Sequence, residues 1–380
     1  MRVLVFPRDD PNPYQRLLYA EMERLGTRVS YLGRLTPSRT LNLLLLPLEV
    51  AVRRAGGARL VHLHWVFGFG LPGGSRLAGM RRLAQAWFTL WLRTTRLLGV
   101  HIVWTAHNVL PHSPVFADDI AARRALVAAS DLVLAHSQPA LAALAALGAV
   151  PRKSAIIPHG PLTPAVPAAS LRVPGTGSGP RRILFFGKVL AYKGAEDLLA
   201  AFAAVPADLP AILTIAGQCV DPGMRSRLEA LARAGRERVA LRLERIPDRD
   251  VPALFASADV VALPYRTITT SGCAMLALAY GRPLVVPELD GFAHLPREAI
   301  TSYSGPGQAL TAALVQVASA EGPALAAMAA AARAYAATLS WPEIALRTKN
   351  EMASILGLTS EAGARGEPCV TPEAARAGRR

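Results

Sequence analysis

The stretch that decides the fold runs Ile183-Leu184-Phe185-Phe186-Gly187-Lys188-Val189-Leu190-Ala191-Tyr192-Lys193-Gly194-Ala195-Glu196-Asp197-Leu198-Leu199. A short apolar run ends in a glycine, a basic turn follows, and a second glycine opens an amphipathic helical pattern. That is the signature of a strand, a loop and a helix N-terminus in an open α/β sheet. Gly187 lets the backbone come close to a ligand, and the amides of a helix opening near Gly194 favour an anion. The chain has four lysines, Lys153, Lys188, Lys193 and Lys349. Two of them fall in this one turn, which points to a diphosphate.

Outward from it the same alternation continues. Strand candidates in the first half are Val3 to Phe6, Val29 to Leu32, Leu60 to His64, Val100 to Thr105, Leu132 to Ala135 and Ser154 to Ile157, with helical stretches such as Pro13 to Leu25 and Pro139 to Leu147 between them. The second half adds Arg182 to Phe186, Ala211 to Ala216, Val239 to Leu243, Val260 to Leu263 and Pro283 to Val286. The expected class is α/β, with two doubly wound, Rossmann-like parallel-sheet domains. The 380 residues allow two such cores at roughly 150 residues per domain. The Pro/Gly/Ser-rich segment 161–181 reads as a linker between domains 1–160 and 182–340. Residues 341–358 read as a final helix and 359–380 as a disordered, Ala/Gly/Arg-rich tail.

Cys219, Cys273 and Cys369 are too scattered for a disulfide framework or a zinc site, so a reducing compartment is expected. The first apolar run, Met1 to Phe6, is too short for a signal-peptide core. Nor does any stretch supply the 18 or so uncharged apolar residues of a spanning helix. Charge is uneven. Of 42 basic and 27 acidic residues, residues 1–110 hold 15 arginines and five carboxylates, and Val50 to Val100 hold eight arginines and no carboxylate. Arg76, Arg81, Arg82, Arg93 and Arg96 stand among Leu83, Trp87, Phe88, Leu90, Trp91 and Leu92, which suits an anionic membrane surface. A compositional preference for arginine, which makes up 38 of the 42 basic residues, is the plainer reading. Nucleic acid fits poorly, because no helix-turn-helix, RRM, KH or zinc-finger pattern is present.

Several segments together resemble a known family. Gly187 to Leu199 is similar to the G-[RK]-x4-KG-x4-L donor-phosphate motif of GT-B glycosyltransferases, in particular the large retaining group (family 4) related to sucrose synthase and bacterial mannosyltransferases. Trp104-Thr105-Ala106-His107-Asn108 resembles its T-x-H-N loop, Ala135-His136-Ser137 its strand-end serine, and Ile157-Pro158-His159-Gly160 its hinge approach. Leu213 to Gly217, Ser257 to Pro264 and Tyr280 to Val286 resemble its second-domain framework, and Ser340-Trp341 the start of its final helix. The family's E-x7-E pair is missing: Ile268 and Leu276 stand at the matching positions. A Ser-Gly turn, Thr270-Ser271-Gly272-Cys273, stands there instead.

The resemblance implies a GT-B enzyme that moves a hexose from a nucleotide-diphosphate sugar, with GDP-mannose as the leading donor, and retains the anomeric configuration. The donor site would comprise Gly187, Lys188, Lys193, Thr270, Ser271, Gly272 and Cys273. His107 would contact the donor hexose, and Lys188 and Lys193 would stabilise the leaving diphosphate without a metal ion or other cofactor. Tyr14, His64, Trp65 and Asn108 are the acceptor candidates, with a saccharide or polyprenyl-diphosphate-linked acceptor on the cytoplasmic face of the inner membrane. His62 and His64 alternate onto one strand face, His159 lies at the hinge, and His112 shares the His107 loop. Asp248-Arg249-Asp250 looks like a metal-binding DxD, but the helix that follows makes it an N-terminal cap. A sugar-nucleotide epimerase of the same fold and a non-catalytic polyanion binder are the rivals.

Overall fold

A computed structural model describes residues 1–8, 12–72, 77–111, 114–163, 172–176, 179–305 and 307–358. Asp9, Asp10, Arg76, His112, Cys369, the tail 359–380 and residues 164–171 and 177–178 of the expected linker lie outside the described residues. The chain divides into two compact units, Met1–Ile157 with Pro342–Arg380, and Pro158–Trp341.

The first unit is built on β1 (Arg2–Phe6), β2 (Arg28–Tyr31), β3 (Leu60–Leu63), β4 (His101–Ala106), β5 (Leu132–Ala135) and β6 (Ser154–Ile156). They form one parallel sheet in the order β2-β1-β3-β4-β5-β6. The crossovers carry α1 (Pro13–Arg24), α2 (Arg39–Ala55), α3 (Ala78–Leu97), α4 (Asp119–Ala129) and α5 (Gln138–Ala146). The apolar central strands β1, β3, β4 and β5 are buried on both faces, while the edge strands β2 and β6 are partly exposed. Order reverses between β1 and β3, and ligands of open α/β sheets bind outside the strand ends at such a reversal.

The second unit repeats the principle with β7 (Arg181–Phe186), β8 (Ala211–Ala216), β9 (Val239–Arg242), β10 (Val260–Ala262), β11 (Leu284–Pro287) and β12 (Ile300–Tyr303), in the order β12-β11-β10-β7-β8-β9. Its helices are α6 (Ala195–Ala203), α7 (Pro222–Ala234), α8 (Val251–Ser257), α9 (Gly272–Ala279), α10 (Gln308–Ser319) and α11 (Gly322–Ala337). Here the reversal falls between β7 and β10. β12 was not anticipated, because Ile300-Thr301-Ser302-Tyr303 is short and half polar; its pairing with β11 makes it a strand.

Part of the expected linker is instead fastened to the second unit. Arg172 donates to the Ser257 carbonyl oxygen and to Asp259, and the Gly175 amide donates to Asp259 at 3.0 Å. A buried carboxylate ringed by donors holds this segment, which composition alone does not reveal. The last helix, α12 (Trp341–Ile355), packs on the first unit: Lys349 Nζ donates to the Leu25 carbonyl oxygen at 2.6 Å, and Arg347 donates to that of Ile156 at 2.9 Å.

The basic, aromatic segment folds differently from the membrane expectation. Phe88 and Trp91 are fully buried and Leu92 nearly so. They are the inward face of α3 and pack with Phe69 and Phe116 in the core. Half-buried Trp87 donates its indole N–H to the Leu43 carbonyl oxygen of α2 at 3.0 Å. The exposed apolar side chains are aliphatic: Leu83, Leu90 and Leu97 on α3, and Leu41, Leu44, Leu48 and Val52 on α2. Among the described residues no single helix is long and apolar enough to cross a membrane.

Candidate functional site

Each unit presents a cluster of candidate residues at its own strand-order reversal. In the second unit, the loop after β7 and the loop after β10 flank that point. Gly187 adopts φ 116°, and a Cβ there would stand 3.0 Å from Lys193 Nζ, so the lysine folds back over the glycine. Gly194, at φ 68°, opens α6; a Cβ there would lie 2.1 Å from the Pro264 carbonyl oxygen, so only glycine lets the two loops meet. The Lys193 ammonium also lies 5.4 Å from the centre of the Tyr265 ring. Burial, with Lys188 adding like charge, lowers the Lys193 pKa below its ordinary value, opposed by Cys273. Lys188 itself is exposed.

Ser271 caps α9, its Oγ accepting from the Ala274 amide at 3.1 Å. The first amides of this helix have no acceptor within it, so they are directed outward at the loop. Cys273 is not a nucleophile in this state: burial pushes its thiol up to about 11, and Sγ donates to the Phe186 carbonyl oxygen at 3.3 Å. Thr270 Oγ1 is buried without a hydrogen-bond partner. A Cβ on Gly272 would come 2.7 Å from Leu162 Cδ1 and 3.8 Å from His159 Cε1, which sets His159 beside the start of α9. Burial pulls His159 down to about 4, and its Nδ1 donates to the Gly160 carbonyl oxygen.

All seven donor candidates therefore lie on these two loops and the first turn of α9. Sequence reasoning missed Arg266 and Asp197, which form a two-pronged ion pair at 2.8 and 2.9 Å beside them. The signal was faint, since an arginine after a strand is common. Of the positions matching the absent carboxylates, Leu276 is buried in the core and Ile268 packs against it. Asp248-Arg249-Asp250 precedes α8 as expected, but Asp250 makes no capping bond with its side chain.

In the first unit, the reversal gathers Tyr14, His64, Trp65 and His107. Asn12 Oδ1 caps α1 by accepting from the Tyr14 amide at 3.0 Å, which seats the buried Tyr14 at the helix start. The His107 ring stacks on Trp65 with centroids 4.4 Å apart and meets the Tyr14 ring edge-on at 4.6 Å. His107 Nε2 bonds His64 Nδ1 at 3.0 Å, and His107 Nδ1 bonds His136 Nε2 at 3.1 Å. His64 Nε2 and His62 Nδ1 each lie 2.7 Å from the Tyr19 hydroxyl, and His62 Nε2 lies 2.7 Å from Thr105 Oγ1. Burial lowers His62 to about 3 and His64 well below the usual imidazole value, so both are neutral near pH 7. Asn108 is half-buried on the same loop. His136 and Tyr19 went unassigned in the sequence. The register pairs Ala106 with Ala135, so the residues after β4 and β5, His107 and His136, fall side by side.

Two parallel six-stranded sheets, each with an order reversal, are the GT-B fold. The comparisons with known proteins agree. Residues 180–321 match the family described as Glycosyl transferases group 1. The chain is 29% identical over 250 residues to a GDP-mannose:glycolipid 4-beta-D-mannosyltransferase of Xanthomonas campestris pv. campestris, a match covering 65% of each chain. It thus spans about two-thirds of that relative's length. Among solved structures, sucrose-phosphate synthase from Thermosynechococcus elongatus superposes with TM-score 0.71 at 19% identity, covering 94% of this chain and 99% of that one. Anabaena HepE in complex with UDP gives TM-score 0.68 at 16% identity, with 93% and 99% covered.

Proposed function

We propose that this protein is a glycosyltransferase that moves a hexose from a nucleotide-diphosphate sugar, GDP-mannose foremost, to a saccharide or polyprenyl-diphosphate-linked acceptor. The observation that carries the reading is the placement of Lys193 over Gly187, at the strand-order reversal of the second unit and beside the start of α9. A lysine that burial makes reluctant to hold its charge is stabilised by an incoming diphosphate. That attraction grows as the glycosidic bond breaks and negative charge collects on the leaving group. Lys188 and the amides of Ser271, Gly272 and Cys273 add to it, and the Thr270 hydroxyl supplies a further donor. Charge on the diphosphate is then met without a metal ion.

The donor assignment is supported by the GDP-mannose of the Xanthomonas relative's name, and the lipid-linked acceptor by its glycolipid. Tyr14, Trp65, His107 and Asn108 receive the acceptor side of the reaction or the hexose in this reading, with His64, both of whose ring nitrogens are engaged, set behind His107. The exposed leucines of α2 and α3, together with exposed Arg82, Arg93 and Arg96, would rest on the anionic cytoplasmic face of the inner membrane.

For the stereochemistry, the resemblance to family 4 supports retention. The relative's β-mannosyl product favours a second reading, since a β product from an α-linked donor is one of inversion. Proton NMR of the fresh product separates them. The activity is tested by incubating the full chain with GDP-mannose and other nucleotide sugars, with a thermal-shift panel alongside. The reading requires stabilisation by one nucleotide diphosphate and transfer to a saccharide or glycolipid acceptor. Donor turnover without acceptor would mark an epimerase. Salt-sensitive heparin binding with no nucleotide effect would mark a polyanion binder.

A further inference from the structure

Six hydrogen bonds inside the first unit join Thr105, His62, Tyr19, His64, His107, His136 and the Ile157 carbonyl oxygen into one chain. Proton bookkeeping gives it a single direction. A carbonyl oxygen only accepts, so His136 Nδ1, 2.9 Å from Ile157 O, carries a proton; with one proton on each ring, Nε2 then accepts. His107 must then donate from Nδ1 and accept at Nε2. The same step makes His64 donate from Nδ1 and accept at Nε2 from the Tyr19 O–H. The Tyr19 oxygen accepts in turn from His62 Nδ1–H, and the Thr105 O–H donates to His62 Nε2. All four imidazoles are thus Nδ1–H tautomers, and reversing any one alone would set two donors or two acceptors face to face. All four rings are at least nine-tenths buried, so water does not compete for these bonds. Tyr14 covers three of them, with ring centroids 5.8, 4.6 and 5.5 Å from His64, His107 and His136.

We propose that Thr105, His62, Tyr19 and His64 are positioning residues that act through this one-way chain on His107, fixing its tautomer and ring plane and, with them, the loop that carries Asn108. Because the chain ends on a carbonyl, no proton leaves at that end, so its role is orientation rather than proton conduction. Its effect falls on turnover more than on donor binding, because Lys188, Lys193 and the α9 amides belong to the other unit. That kinetic consequence rests on the glycosyltransferase reading; the tautomers rest on geometry alone.

The test uses the full chain labelled with 15N in its histidines, with long-range proton–nitrogen correlation spectra at neutral pH. His62, His64, His107 and His136 are expected to show a protonated Nδ1 and a bare Nε2. Tyr19→Phe removes the link between His62 and His64, and is expected to shift the His107 ring nitrogens through His64. In the transfer assay the same variant is expected to lower kcat by about tenfold to a hundredfold, with the donor KM held within about twofold. Thr105→Val, which removes only the first donor, serves if Tyr19→Phe does not fold. A protonated Nε2 on any of the four rings, unmoved His107 nitrogens in the variant, or shifted nitrogens with unchanged kcat would overturn the proposal. Spectra as expected from a wild-type chain inactive with every donor would sink the glycosyltransferase reading and leave the hydrogen-bond chain standing.

Discussion

Lys193 Nζ stands 3.0 Å from the point where a side chain on Gly187 would begin. Glycine and ammonium share one small volume: the missing Cβ is what lets the amine reach the strand end. Gly187→Ala is therefore expected to displace Lys193 and to place alanine at φ 116°, where L residues are strained by roughly 1–3 kcal/mol. Thermal melting with and without GDP or UDP checks both effects. The melting temperature should fall and the nucleotide-induced rise should shrink; a variant that keeps the full rise speaks against the site.

The depressed pKa of Lys193 has a definite sign. Between its folded pKa and its ordinary value of 10.5, the unfolded lysine holds a proton that the folded one has released. The unfolded state then binds more protons, and this group's contribution to stability rises with pH through that window. A bound diphosphate draws the proton back. Calorimetry of nucleotide diphosphate binding in buffers of different ionisation enthalpy should show proton uptake on the alkaline side, and Lys193→Met should abolish it.

The buried imidazoles act at the acid end. His62 is lowered to about 3, so between pH 6.5 and about 3 the unfolded chain takes up a proton that the folded chain does not. Stability is lost as pH falls, by up to about 1.4 kcal/mol per pH unit for each such ring. His64 and, in the other unit, His159 add to the trend. Urea midpoints measured at pH 7 and pH 5 should fall with pH, and His62→Gln should flatten the slope.

Asp259 is nearly fully buried. Burial raises its pKa, but the amides of Gly175 and Arg182 and the Arg172 guanidinium outweigh that and hold it below the usual carboxylate range. Asp259→Asn removes a charged acceptor from three donors and is expected to cost about 1–3 kcal/mol. Denaturant titration of the full chain should show the loss, and limited proteolysis should cut first near residues 172–176.

The exposed faces of α2 and α3 predict behaviour at a lipid surface. Flotation with anionic vesicles at low salt should carry the protein upward, and Leu44, Leu48, Leu90 and Leu97 replaced together by Ser should weaken it. Replacing buried Trp91 would test stability instead. No flotation of the wild type at low salt removes the membrane proposal.

Much was legible in the chain itself. Apolar runs alternating with helical stretches gave the two parallel sheets, because strand burial and helix amphipathicity are written locally. The turn from Gly187 to Gly194 was legible as a strand end followed by a helix start, because glycine is the residue that tolerates the positive φ found at both positions. Contact across the fold decided the rest. A helical period shows that α3 has an apolar face but not what covers it, so Phe88 and Trp91 proved to be core while Leu83, Leu90 and Leu97 remained outside. The histidines looked like separate candidates because they come from three strands distant along the chain; the side-by-side register of β3, β4 and β5, with α1 bringing Tyr19 against them, makes them a single hydrogen-bonded chain. Such bonds depend on where strands and helices distant along the chain come to lie, and that is fixed only when the sheet closes its register.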